Sequence, residues 1–206
     1  YTKTLKNLFS LFYFMKLIVI RHSNRENIKD SETAHLAQLT EEGISNAIQF
    51  GTKLKEKFNV KIDNIFTSFV ERCIDTGDLI RKAHAFDLFN EQIELHIPND
   101  HDNLATLGYV KFTKRMEWLN YIHEKFKSNN MNYDTIFKEL NERNISIYKS
   151  SKEFTKDFIS EFNYSFNNNL VVTHDTNIAP IMHYLSHKYN FYLDDYMLKP
   201  KSLCGF

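Results

Sequence analysis

The sequence predicts an α/β fold with a largely parallel central sheet, and two observations carry that expectation. Short runs of β-branched and aliphatic residues alternate with longer segments whose apolar residues recur at helical spacing. Unusual polar residues also fall directly behind three of those short runs, where an open parallel sheet gathers its ligands.

Residues 16–20 form a continuous run of the kind expected of a strand buried on both faces. Thr40 then stands as an N-cap, with Glu41 and Glu42 suited to the positive end of a helix dipole. Ile44, Ala47, Ile48, Gly51 and Leu54 follow at helical spacing and are expected to face inward. Residues 62–68 read as a second strand, 71–82 as a helix with Ile74, Gly77 and Ile80 inward, and 86–93 as a third strand. Farther on, three apolar stripes fit helices packed into a core: Phe112 to Phe126, Tyr133 to Leu140, and Phe154, Phe158, Phe162 and Phe166. Asn167, Asn168 and Asn169 make a turn before a buried strand at 170–173. Ile178, Ile181, Met182 and Leu185 then continue as a helix.

The 206 residues suffice for one domain with a sizeable core, and no repeat or inter-domain linker interrupts them. Residues 15–206 are expected to form that domain, with a helical insert at about 99–167. Residues 1–14 read as a non-native leader or an extension, and 202–206 as a strand barely begun at a truncated end. Lys plus Arg and Asp plus Glu balance at 26 each, which argues against nucleic acid as an obligate partner. The apolar run at 11–20 is broken by Lys16 and too short to span a bilayer, so no membrane partner is expected. Cys73 and Cys204 are too few for a disulfide framework, which makes a reducing cytoplasm the default.

Three polar clusters stand out. Arg21, His22, Ser23, Asn24 and Arg25 follow the first strand, Arg72 follows the second, and His174 with Asp175 follows the 170–173 strand. All three are therefore expected at one edge of the sheet, where helix N-termini also point. The mixture suits a phosphoryl group. Arginine offers a planar, permanently charged fork of donors that matches phosphate oxygens. A neutral imidazole can attack phosphorus and hold it covalently, and a nearby carboxyl can serve as acid and then as base.

Arg21, His22 and Arg25 near the start, Arg72 after Thr67 and Ser68, and His174 with Asp175 late in the chain resemble the histidine phosphatase superfamily. Leu39 to Gly43 also resembles that family's lead into its first helix, and the likeness covers nearly everything from Met15 onward. The resemblance implies a three-layer α/β/α, phosphoglycerate mutase-like fold and a metal-independent phosphomonoester hydrolase without a cofactor. It implies His22 as the nucleophile, and Arg21, Arg25 and Arg72 as phosphate-binding arginines. His174 would be the second histidine on the phosphoryl group. Asp175 would be the proton donor, as in the histidine acid phosphatase branch, to which the His-Asp motif points. A mutase-like relative would instead take a glutamate from mid-chain, so Glu91 and Glu94 are reserve donors. The substrate would be a phosphorylated small molecule or phosphoprotein. The alternatives are a phosphomutase and an inactive member that binds phospho-ligands or a protein. Two positions depart from the family pattern: Ser23 stands where glycine is usual after the nucleophile, and Asn27 where the acid-phosphatase motif has proline.

Other motifs read more plainly. His101-Asp102 repeats the dipeptide but is expected in a polar loop after Pro98, Asn99 and Asp100 rather than behind a strand, so it reads as a decoy. His183 and His187 are four apart on a helix, a zinc-compatible spacing, yet they lack the HExxH glutamate and a third ligand; they read as surface histidines. Cys73 reads as a packed helix residue whose arginine neighbour could lower its pKa.

Overall fold

The computed structural model describes residues 17–28, 33–85, 93–97, 151–162 and 168–190. They comprise β1 (Leu17–Arg21), α1 (Glu41–Glu56), β2 (Asn64–Thr67), α2 (Glu71–Ala85), β3 (Glu94–His96), α3 (Ser151–Phe162), β4 (Asn169–Thr173) and α4 (Asp175–Tyr189). A short 3-10 turn at Ala34–Leu36 precedes α1. The four strands form one parallel sheet in the order β1-β4-β2-β3. No helix among the described residues is long and apolar enough to cross a membrane.

Strand β4, between β1 and β2, is buried along its whole length, in keeping with the aliphatic run Leu170, Val171 and Val172 at its middle. Alternate side chains feed two layers. Ile20, Ile65, Leu170 and Val172 pack with Ala47, Leu54, Cys73 and Ile80 of the α1–α2 pair. On the other side Phe66 meets Phe162 at 5.4 Å between ring centroids, and Phe154, Phe158 and Phe162 are wholly buried. That stripe of α3 is core packing, and α3 lies against α4. The result is a three-layer α/β/α arrangement.

Thr40 caps α1 as expected, its Oγ1 accepting the Gly43 amide at 3.0 Å. Ala47, Gly51 and Leu54 face inward as expected, but the two isoleucines do not. Gly43, Ala47, Gly51 and Leu54 are buried, whereas Ile44 and Ile48 are 40% and 42% exposed. Helix–helix distance decides this: a Cβ on Gly51 would sit 2.7 Å from the Ile80 carbonyl oxygen and 3.0 Å from Ala83 Cβ. Small residues let the helices touch, and the larger isoleucines are pushed to the flank. Gly51→Ala should therefore cost about 1–3 kcal/mol in urea unfolding despite alanine's better helix propensity. Ile48→Ala should change stability far less.

Residues 86–93 had been expected as the third strand; β3 is described at Glu94–His96 with Ile93 buried just ahead of it, and residues 86–92 lie outside the described residues. Helix α2 runs three residues past its expected end, to Ala85. Residues 1–14, the Phe112 and Tyr133 stripes, Phe166 and residues 202–206 lie outside the described residues, and of the expected helical insert only 151–162 is described, as α3.

Candidate active site

Strand register brings the three polar clusters together. Arg21 pairs with Thr173 across β1 and β4, and Thr67 pairs with Val172 across β2 and β4. The ladders run one residue further, with the His22 amide donating to the Thr173 carbonyl at 3.0 Å and the Ser68 amide to that of Val172 at 3.0 Å. His22, Ser68 and His174 thus leave three adjacent strands at the same carboxyl edge. The rings of His22 and His174 meet edge to face at 5.6 Å.

His22 is held from both nitrogens. Its Nδ1 lies 2.8 Å from the Ser23 carbonyl oxygen, an acceptor, so Nδ1 carries the proton. Arg72 Nε donates to His22 Nε2 at 3.2 Å, which requires an unprotonated lone pair there. Burial, followed by the positive charges of Arg21 and Arg72, lowers the His22 pKa to about 3. The imidazole is thus neutral, with Nε2 as its free base.

Arg72 is buried at the start of α2 and also donates from Nη1 to the Ala34 carbonyl at 2.8 Å. Its pKa, like that of Arg25, is lowered mainly by burial, and Arg21 lowers both further. Arg25 donates from Nη1 to the Glu26 carbonyl, 2.7 Å away. Arg21 Nη2 stands 3.4 Å from Asp175 Oδ2, while Asp175 Oδ1 accepts the Thr176 amide at 2.9 Å in the first turn of α4. Three guanidinium groups facing one carboxylate leave an excess of positive charge suited to an anion.

His174 is the N-cap residue of α4 and is buried. Its Nε2 shares a hydrogen bond with Ser68 Oγ at 3.0 Å, and Cys73 Sγ lies 3.7 Å from the same nitrogen. Burial first, then the charge of His22, keeps its pKa well below the ordinary histidine value. Cys73 is raised to about 12, because burial outweighs the pull of Arg72. The arginine neighbour therefore does not make it a reactive thiol.

The residues of the three clusters meet at this edge, and of the two reserve donors only Glu94 is described. Glu94 opens β3 in register with Asn64, at the amino end of the sheet, is exposed, and has Oε2 3.4 Å from His96 Nε2. That placement is opposite the site and corrects its reserve role. Glu91 and His101-Asp102 lie outside the described residues. His183 and His187 sit near the end of α4 with Nε2 atoms 3.2 Å apart. Among the described residues no three His, Cys, Asp or Glu side chains converge as a metal site.

Sequence reasoning missed two contributors. Ser68 was read only as a neighbour of Arg72, although its place at the end of β2 marked it. Thr76 lies one turn after Arg72 on the same buried helix face, and that spacing was its signal.

Residues 17–204 match the model of the histidine phosphatase superfamily (branch 1). No curated protein matches the chain by sequence. Among solved structures, a mycobacterial glucosyl-3-phosphoglycerate phosphatase is similar at 12% identity with a TM-score of 0.50, covering 83% of this chain and 79% of that one. The ecdysone phosphate phosphatase from Bombix mori, in complex with tungstate, gives 11% identity, 92% and 86% coverage and a TM-score of 0.49. A phosphoserine phosphatase mutant from Entamoeba histolytica in complex with phosphoserine gives 18%, 88%, 87% and 0.40 in the same order. At these identities the likeness concerns the fold. The leaning toward the acid-phosphatase branch rested on the two residues His174 and Asp175, and the branch 1 match lends it no support. With its parallel sheet, its strand-end clusters and a match that spans nearly all of it, the chain belongs to the histidine phosphatase superfamily.

Proposed function

We propose that the chain is a phosphomonoester hydrolase that works through a phosphohistidine at His22, with Asp175 as general acid and base. The observation that carries this reading is the fixed tautomer of His22, with Nδ1–H on the Ser23 carbonyl and the Nε2 lone pair beside Arg72. A phosphomonoester entering among Arg21, Arg25 and Arg72 would draw the Arg72 fork from Nε2 to its oxygens. Nε2 then attacks phosphorus, the P–O ester bond breaks, and the leaving oxygen takes a proton that the Asp175 carboxylate has received from the entering phosphomonoester monoanion. Water next attacks the phosphohistidine and gives its proton to the Asp175 carboxylate. The P–N bond breaks, and phosphate leaves with neutral His22 restored. His174 and the arginines hold the equatorial oxygens throughout. None of these steps calls on a metal ion or cofactor.

Mixing enzyme with a phosphate-labelled monoester and quenching in alkali should trap label on the wild type and none on His22→Ala. Equal labelling of the two would sink the proposal. Asp175→Asn should lose about 10²-fold or more in kcat on alkyl phosphates, yet much less on activated aryl phosphates, whose leaving groups need no proton. A uniform loss would assign Asp175 to binding instead. Adding an acceptor alcohol separates hydrolysis from phosphoryl return to a hydroxyl, the mutase alternative.

A further inference from the structure

Ser23 occupies the position after His22 and is wholly buried, so its hydroxyl must find a partner inside the protein. It donates to the Gly43 carbonyl in the first turn of α1 at 2.6 Å. Its amide donates to Thr76 Oγ1 at 3.1 Å, and that hydroxyl donates in turn to the Arg72 carbonyl at 2.7 Å. Its own carbonyl accepts from His22 Nδ1 at 2.8 Å. Every polar group of Ser23 is thereby tied to the nucleophile candidate, to α1 or to the helix that carries Arg72.

The surrounding contacts show that α1 is pressed onto this turn. The Thr40 amide donates to the Asn24 carbonyl at 3.1 Å, and Arg25 bridges to Leu39. A Cβ on Gly43 would run into the Asn24 carbonyl oxygen. Nothing in the backbone asks for glycine at Ser23 itself, because among the described residues only Asn59 and Asn190 have positive φ.

We propose that Ser23 is a positioning residue for His22: its hydroxyl, anchored on Gly43, holds the turn whose carbonyl fixes the Nδ1–H tautomer, so serine is required here although the family pattern has glycine. The inference rests on His22 acting as nucleophile. A glycine would remove the anchor and loosen the peptide that carries the acceptor, leaving the Arg72 Nε bond alone to oppose transfer of the proton to Nε2. Each molecule with the proton on Nε2 cannot attack.

The test compares wild type, Ser23→Gly and Ser23→Ala at a temperature where each is fully folded. Nitrogen-15 NMR of the imidazoles, assigned through His22→Gln, should show wild-type His22 as the single Nδ1–H tautomer and Ser23→Gly as a mixture. With an aryl phosphate, kcat should fall about 10-fold in Ser23→Gly, while the inhibition constant of inorganic phosphate stays within about 3-fold; Ser23→Ala should lie between. Unchanged NMR shifts with unchanged kcat in both variants would overturn the proposal, as would a loss of phosphate binding equal to the loss of kcat. If Ser23→Gly does not fold, Ser23→Ala decides alone on the same two readouts. If the wild type shows no turnover but the tautomer shift appears, the hydrolase reading fails and the positioning role stands.

Discussion

Arg72→Lys is expected to lower kcat/KM for a phosphomonoester by about 10³-fold, within the range for losing a preorganised donor at a transferring phosphoryl group. The substitution keeps the charge, so the loss isolates geometry. Arg72 makes two directed contacts at once, from Nε to His22 Nε2 at 3.2 Å and from Nη1 to the Ala34 carbonyl at 2.8 Å. An ammonium is a single point of charge and cannot serve both directions, nor present a planar fork to two phosphoryl oxygens. Much of the loss should appear as weaker competition by inorganic phosphate, and the rest as slower transfer. The positive charge left beside His22 should keep that imidazole neutral, since burial is the larger cause of its lowered pKa. Steady-state kinetics with phosphate inhibition measure both parts. A loss under about 10-fold in a folded variant would mean that Arg72 is a structural strut for the Ala34 turn.

Acid should unfold this protein from the site outward. In the unfolded chain His22 takes up a proton near its ordinary value of 6.5, whereas in the folded state it resists until about 3. Between those values the unfolded state binds more protons, so stability falls as pH falls. The contribution is whole above 6.5 and is lost progressively down to about 3. At pH 5 His22 alone should have cost about 2 kcal/mol relative to pH 8. His174, whose pKa is lowered by its own burial and by His22, acts in the same direction. Urea unfolding at pH 8, 6 and 5 should therefore show a steep loss in wild type. His22→Gln should show a distinctly flatter one, because glutamine takes up no proton in either state. Parallel slopes in the two proteins would mean that water or an anion reaches His22 and lets it charge in the folded state.

The parts of the molecule legible in the sequence are those where burial alone chooses the residue. β1 and β4 announce themselves through the aliphatic runs at 17–20 and 170–172, as strands covered on both faces do. β3 does not, because three residues with one aliphatic side chain among them constrain almost nothing. On the inward face of α1, Ala47, Gly51 and Leu54 are buried as expected, but Gly43 takes the place that hydrophobicity would give Ile44 and Ile48, because the helix is pressed close at its small residues. Distance between helices is not written in either helix alone.

The sequence by itself determined which side chains gather, because a residue directly behind a parallel strand has only one edge of the sheet to stand on. Arg21, His22, Arg72, His174 and Asp175 were placed by that rule, without any knowledge of their contacts. Only the tertiary structure decided their chemical state. The neutral, Nδ1-protonated form of His22 follows from burial, from one carbonyl and from a guanidinium fifty positions away in the chain. It likewise turned Ser23 from a departure into an anchored part of the site, and put Glu94 at the far end of the sheet. Hydrogen-bond direction and burial are properties of neighbours in space, so they came into view only once α1, α2 and the strands were packed.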